Sequence, residues 1–423
     1  MTLSRIGRIS KALVVSMAIV LGMSACGGYT VGFMWVLGTQ YNQIAGFKID
    51  DYTGNLTAMV NSPYTSGGTN PVSIAVRAGG NFVFVVNKGT YKKDSSGNLL
   101  LDSNGQPESN HDGNIAVFAV GEDGVLTFQN TYTTPGGTPI WAVADGTGSY
   151  LYVLEAQSPA YDAVTDKNGD IAVFGVDGST GRLQLVPNQS IKNSAGALLN
   201  YFEVGKTPTT MRSSGSCLYT LDSGDQTIFP YGLGGSGQLS LESNTPEIPT
   251  GATNLTSINV SGNYIFLIDA GTGSVPGRIL PYTPGSGCSL SVQANGAVAN
   301  LPLTSNPVYG MTDAKNKFFY VLNHGTTNSQ NANSSISAFV IQTTGTLLPI
   351  SDTSNPYPVG NGPVCMVEDP SNQYIYTSNN YDGTVTGKFI NQNTGQLSDL
   401  SRGSVFSAFT TGATCLAVSG TVD

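Results

Sequence analysis

Ionisable side chains are scarce in this 423-residue chain: Asp, Glu, Lys and Arg make up 11% of it, against about 25% in soluble domains generally. Positive charge is the scarcer kind, with 18 Lys and Arg against 27 Asp and Glu, a net charge of −9 and a pI near 4.7. Without a basic stripe to neutralise phosphates, nucleic acid is excluded as a partner. Helix-forming residues do not cluster at a helical period, which excludes long helices. The five cysteines contain no Cys-x-x-Cys and no Cys-x-x-Cys-His, which argues against a zinc knuckle and a c-type haem. No Gly-x-Ser-x-Gly elbow stands between a strand and a helix, so a serine hydrolase is unsupported. Histidine is limited to His111 and His324. No metal site and no cofactor is expected.

What fills the chain instead is turn chemistry alternating with β-formers, including 53 Gly, 20 Tyr and 16 Phe. With 39% apolar residues it can bury a core, which distinguishes it from a disordered chain. An aromatic-rich segment ending in a polar residue recurs: Phe82 to Asn87, Tyr150 to Glu155, Leu218 to Asp222, Tyr264 to Asp269, Phe318 to Asn323 and Tyr374 to Asn379. A segment opening on Pro precedes most copies, and one resembling Ile115-Ala116-Val117-Phe118, followed by a turn and a Leu, comes after. Four strands per repeat describe a small sheet that cannot bury its own faces and must stack on its neighbours, as propeller blades do.

The first unit, around Phe33-Met34-Trp35-Val36-Leu37, lacks an opening strand, and Ala413 to Val418 at the other end is a strand without a unit. The expectation is therefore an all-β, seven-bladed β-propeller over residues 26–423 whose C-terminal strand closes blade one and leaves no edge unpaired.

Residues 1–25 read as a signal peptide. Arg5, Arg8 and Lys11 precede an apolar run from Ala12 to Leu21, too short for the roughly 20 residues of a membrane span. The sequence Met23-Ser24-Ala25-Cys26-Gly27 resembles the lipobox of bacterial lipoproteins, with Cys26 as the lipidated residue and the membrane as its partner. The expected location is the cell envelope, lipid-anchored, on the periplasmic side or the outer surface. An exported chain with four further cysteines is expected to form two disulfides. Cys365 and Cys415 occupy the same slot on neighbouring innermost strands, so they are expected to pair. Cys217 and Cys288, both at turns of adjacent blades, form the second pair.

Function is expected where loops are long on one face of a rigid scaffold. The segments at 88–112, 156–169, 270–277 and 324–334 follow second strands, and the link at 187–206 is also long. Lys88, Glu155, Asp222, Asp269, His324 and Asn379 sit at or beside the second-strand ends, which makes them candidate ligand-binding residues around one mouth. Glu155 and His324 are the weak candidates for catalysis. The run Asp166-Lys167-Asn168-Gly169-Asp170 has the alternating oxygen spacing of a calcium loop but lacks its later Glu.

Repeat, count and closure together resemble the seven-bladed lactonase family, which includes 6-phosphogluconolactonase, over nearly all of the mature chain. The resemblance implies hydrolysis of a sugar lactone at the channel mouth, and Glu155 matches a frequent family Glu. Where that family often carries His or Arg after an opening Pro, this chain has Val72, Ile140, Thr209, Val308 and Val364. The reading favoured by these residues is a binding or scaffold propeller that takes a small molecule or a protein on its long-loop face; the lactonase-like hydrolase is the alternative. Replacing Cys26 by Ser should leave unlipidated protein in the soluble fraction, as fractionation and mass spectrometry would register; a variant still carrying lipid would refute the anchor.

Overall fold

The computed structural model describes residues 29–420 except 103–106, 163, 165, 194, 242–247, 250, 263, 273, 294–298, 303–304, 326–333 and 409–411. The signal segment and Cys26 therefore lie outside the described residues.

The chain forms seven antiparallel sheets arranged as the blades of a ring. In each, the second strand lies between the innermost and third strands, as in blade two with Pro71–Val76, Phe82–Asn87, Asn114–Val120 and Leu126–Thr133. In the other six blades the outer edge comes in two pieces, both paired with the third strand, such as Leu56–Ala58 and Tyr64–Thr65 on Gln43–Asp50. The sequence repeat did not announce that second piece. Closure is as expected: Ala413–Gly420 pairs antiparallel with Thr30–Gly38, with Trp35 opposite Ala417 and Met34 opposite Val418.

Both faces of most second strands are buried. Phe82–Asn87 and Tyr374–Asn379 are buried at every position, because each blade is covered by the next on both sides. Seven apolar clusters result, one for each blade-to-blade contact; Trp35 and Leu37 of blade one pack against Val83, Val85 and Phe118 of blade two. Aromatic rings also carry a polar tip across these contacts. Trp35 Nε1 donates to the Gly124 carbonyl at 3.1 Å, Tyr320 OH to Gly395 at 3.0 Å and Tyr376 OH to Gly54 at 2.6 Å. The receiving turn must be glycine: Gly124 has φ +81°, and a Cβ there would stand 2.4 Å from the Phe33 ring. Truncating a buried aromatic such as Trp35 to Ala would cost about 3–5 kcal/mol.

Every innermost strand carries a bulge next to its opening residue, between Pro71 and Ser73, Pro307 and Tyr309, and Pro363 and Cys365, for example. A bulge sets two residues against one and re-aims side chains. In blades two, three and four the residue after the opening one, Val72, Ile140 and Thr209 respectively, lines a cavity at the ring's mouth.

Cys217 and Cys288 form the expected disulfide, with Cα atoms 5.6 Å apart, tying blade four to blade five. It spans 71 residues, a loop whose restriction in the unfolded chain is worth about 4 kcal/mol. The other expected pairing is corrected: Cys365 and Cys415 are buried free thiols. They do meet in one apolar cluster across neighbouring innermost strands, where the Cys415 thiol donates to the Leu416 carbonyl at 3.7 Å. Those strands belong to different sheets, held together by side-chain packing rather than by a shared ladder. The contact with Cys415 is the main reason the Cys365 thiol is held below its usual range, while Cys415 is pushed up.

The 88–112 insert is a hairpin with bridges at Tyr91–Ser109, Lys93–Leu99 and Leu101–Pro107. Leu99 and Leu101 are exposed, and its ion pair, Lys92 to Glu108 at 3.1 Å, is also exposed and worth at most about 1 kcal/mol. Replacing residues 93–108 with a tight turn should move the melting temperature little, since loop closure changes by only about 0.6 kcal/mol per doubling of length. Loss of the cooperative transition in circular dichroism would show that the hairpin belongs to the core.

Candidate functional site

The polar residues that end the second strands do not ring a mouth. Glu155, Asp222, Asp269 and Asn379 are all 0% exposed. Each faces a cross-strand partner on the third strand: Asp170, Thr227, Arg278 and Thr384 respectively. Asp269 accepts bonds from the Asn254 and Gly271 amides at 2.9 and 3.0 Å and pairs with Arg278 Nε at 2.9 Å. Asn379 donates to Thr384 and Thr386, both at 2.9 Å, and Asp222 accepts from Thr220 at 2.8 Å. These side chains fasten the blade to itself or to the incoming link. A buried polar group must be satisfied, and the backbone amides of the link are the nearest donors.

Glu155 shows what this does to a catalytic assignment. Its carboxylate accepts from Thr134 Oγ1 at 2.5 Å, from the Gly136 amide at 3.0 Å and from the Thr138 amide at 3.2 Å. Asp170 lies directly opposite, and no described donor reaches either of its oxygens. Two like charges cannot both persist there. Burial, then the charge of Glu155, raises the Asp170 carboxyl well above its usual range; burial raises Glu155 too, opposed by its three donors. Of the pair, Asp170 is the carboxyl pushed up further, by its burial and by the charge of Glu155 opposite. The run from Asp166 thus leads into the third strand Asn168–Val176 instead of a calcium loop.

Both histidines are held locally. His324 donates its amide to Asn306 O at 3.0 Å and packs edge-on against Tyr381, centroids 5.1 Å apart. His111 Nδ1 lies 2.6 Å from Gly136 O; a carbonyl only accepts, so that nitrogen carries the proton. Of the sequence-derived binding candidates, Lys88 lines an open cavity.

That cavity, of about 460 Å³, lies at the mouth between blades two, three and four. Val72, Ile140 and Thr209, each following an opening Pro, form its floor, while the two inserts supply Lys88, Tyr91, Tyr161, Lys167 and Gln157. Lys88 Nζ sits 5.5 Å from the centre of the Tyr91 ring. The Tyr161 hydroxyl donates to Asp102 at 3.2 Å, joining the inserts. Among the described residues that line this cavity there is no carboxylate and no imidazole. The link at 187–206 starts away from the cavity, where Gln189 and Pro187 bond to Gln238 beside the turn joining the third and outer strands of blade four, and ends in Phe202–Lys206, paired with the third strand of blade three.

Sequence reading missed Arg212, the one basic residue on the innermost strands. Its guanidinium lies 4.5 Å from the Trp141 ring of blade three and 5.3 Å from the Tyr309 ring of blade six. Reaching blade six from blade four means crossing the channel, so Arg212 bridges the ring's interior. It donates to Thr210 Oγ1 at 3.1 Å and to Met211 O at 3.0 Å. Arg212 stands four residues after Pro208, whereas the family pattern points to the place directly after each opening Pro.

A closed ring of seven four-stranded blades with a ligand-sized mouth and a cation across its channel defines a seven-bladed propeller. Within that class, residues 30–199 match the family model "Lactonase, 7-bladed beta-propeller". Among solved structures, a Bacteroides fragilis protein assigned as a 6-phosphogluconolactonase is similar over 92% of this chain and 98% of its own, with 16% identity and a TM-score of 0.64. The Pseudomonas aeruginosa periplasmic gluconolactonase PpgL is similar over 93% and 100%, with 14% identity and a TM-score of 0.64. At such identity the likeness is one of fold. No curated protein matches the sequence.

The Glu155–Asp170 pair generates a pH signature. A carboxyl raised in the folded state stabilises fully below its unfolded value, and that contribution is lost as pH rises through the folded value. Asp170→Asn should flatten the fall in melting temperature between pH 5 and pH 9 relative to wild type. Parallel profiles in calorimetry would refute the raised Asp170 carboxyl.

Proposed function

We propose that this chain is a lipid-anchored propeller of the cell envelope that binds a small anionic, polyhydroxylated molecule at the mouth between blades two, three and four. One observation carries the reading: the cavity brings Lys88 and Lys167 together with two tyrosines, and the described residues that line it include no carboxylate and no imidazole. Ammonium groups attract an anion, tyrosine rings stack on the faces of a sugar, and Gln157 and Thr209 offer hydrogen bonds. A cavity of about 460 Å³ falls within the roughly 300–1,000 Å³ of small-molecule sites. The lipid at Cys26 would tether the ring, a reading supported by the charge, length and small residues of the leader.

A lactonase-like hydrolase is the second reading, favoured by the family model over residues 30–199. General-base catalysis needs a base within reach of the attacking water, and Glu155 is committed to the link between blades. Hydrolysis here would rest on electrostatic stabilisation by Lys88, Lys167 and Arg212 alone.

Calorimetric titration with gluconate, alongside a glucono-1,5-lactone hydrolysis assay against a blank, separates the two. Binding that weakens about tenfold in Lys88→Ala, with lactone loss no faster than the blank, is the expected result. Enzyme-dependent hydrolysis abolished by Lys88→Ala or Arg212→Gln would replace the binding reading with the hydrolytic one.

A further inference from the structure

We propose that the Cys217–Cys288 bond is a thiol-exchange site at which a dithiol reductant unlocks the seam between blades four and five. Six of the seven seams share one device. A glycine stands two residues before the leucine that opens the outer strand: Gly54, Gly124, Gly181, Gly237, Gly345 and Gly395. All six have a left-handed φ, from +68° to +81°. A Cβ on any of them would lie 2.4–2.8 Å from an aromatic ring near the start of the neighbouring blade's second strand, as at Gly124 with Phe33 or Gly181 with Phe82. Glycine and ring go together, because only a residue without a Cβ fits beneath the ring. The seventh seam departs at both positions. Cys288 stands two residues before Leu290, at φ +68°, and Cys217 takes the ring's place at the start of Cys217–Asp222. Without the ring there is room for the Cys288 Cβ, and the two sulfurs bond across the seam.

This replacement makes the seam depend on a bond that can be broken. An L-residue held at a left-handed φ is strained, and glycine avoids that strain in the other blades. Once the bond is cut, neither a ring nor a covalent link holds the turn Gly285–Ser289 against blade four. Strained and accessible disulfides are the labile ones. This one is accessible: both cysteines line a cavity of about 580 Å³ at the seam, with Ser216, Gly234, Ser240 and Ser286 beside them. Cys217 is half-buried and Cys288 is 4% exposed, so the thiolate of a dithiol attacks the Cys217 sulfur. A sulfur–sulfur bond to the reagent forms as the Cys217–Cys288 bond breaks, and Cys288 leaves with the electron pair and takes up a proton. The reagent's second thiolate then displaces Cys217, which also takes up a proton. The protein gains two thiols and the dithiol becomes a disulfide. Behind the seam lies the apolar cluster that holds Tyr219, Leu255, Ile258, Tyr282 and Cys288 itself, and opening admits water to it.

The experiment uses the full-length protein, oxidised as isolated and kept folded, incubated with dithiothreitol. Thiols are trapped with iodoacetamide for peptide mapping, and backbone hydrogen exchange is followed by mass spectrometry. The peptides bearing Cys217 and Cys288 should become alkylated together while the far-ultraviolet circular dichroism stays that of the folded ring. Exchange should then quicken about tenfold in Cys217–Asp222 and Arg278–Pro284, which flank the seam, and stay unchanged in Phe82–Asn87, whose seam is closed by a ring over glycine. The double variant Cys217→Tyr with Cys288→Gly restores the device of the other six seams. It should exchange as slowly as the oxidised protein, with or without dithiothreitol. Reduction only after denaturant is added overturns the exchange site. Reduction of the folded protein with no faster exchange at the seam overturns the lock, and both of these readouts on wild type need no variant to fold.

Discussion

The pairing of Ala413–Gly420 with Thr30–Gly38 is the constraint on which the rest of this structure depends. A four-stranded blade is too thin to remove its apolar side chains from water by itself. Phe33, Trp35 and Leu37 are covered on one face by blade two, while Met34 and Val36 are covered on the other by blade seven. Without the C-terminal strand, blade one would present an unpaired edge to the channel. Closure therefore converts seven marginal sheets into one body in which each apolar face has a partner, and it fixes how far apart the innermost strands stand around the channel.

That arrangement divides the polar residues into two populations. Those ending the second strands are drawn inward, because the links between blades pass over them and need acceptors and donors for their backbone. Asp269 takes amides from Asn254 and Gly271; Glu155 takes those of Gly136 and Thr138. They are the polar staples of the ring. The second population sits on inserts and on the channel wall: Lys88, Tyr91, Tyr161, Lys167 and, deeper, Arg212. The side chains that this group brings to the mouth are cationic and aromatic.

The bulge beside each opening residue connects the two levels. By setting two residues against one it turns Val72, Ile140 and Thr209 toward the cavity and Trp141, Tyr309, Cys365 and Cys415 toward the interior. A regular strand would have kept strict alternation and sent half of these residues into the blade contacts. The interior layer is therefore uneven, with two aromatic rings, an arginine and two thiols placed by the same backbone device repeated around the ring.

The number of blades, the closing strand, the face bearing the inserts and the Cys217–Cys288 bond were legible in the sequence, because alternation along a strand and spacing between repeats are local and periodic. Phe82 to Asn87 and Tyr374 to Asn379 declare themselves as the same element wherever they occur. The site was not legible in that way. Whether Glu155 meets solvent or Asp170 depends on a cross-strand register, and the path of the 187–206 link depends on where Gln238 of the next blade lies. That Arg212 faces Tyr309, nearly a hundred residues away, depends on the diameter of the closed ring. Sequence determines which side chains a strand offers; only the packing of blades around a channel decides which of them are buried as staples and which are left to meet a ligand, because that choice is made by neighbours that the chain reaches only after it has closed on itself.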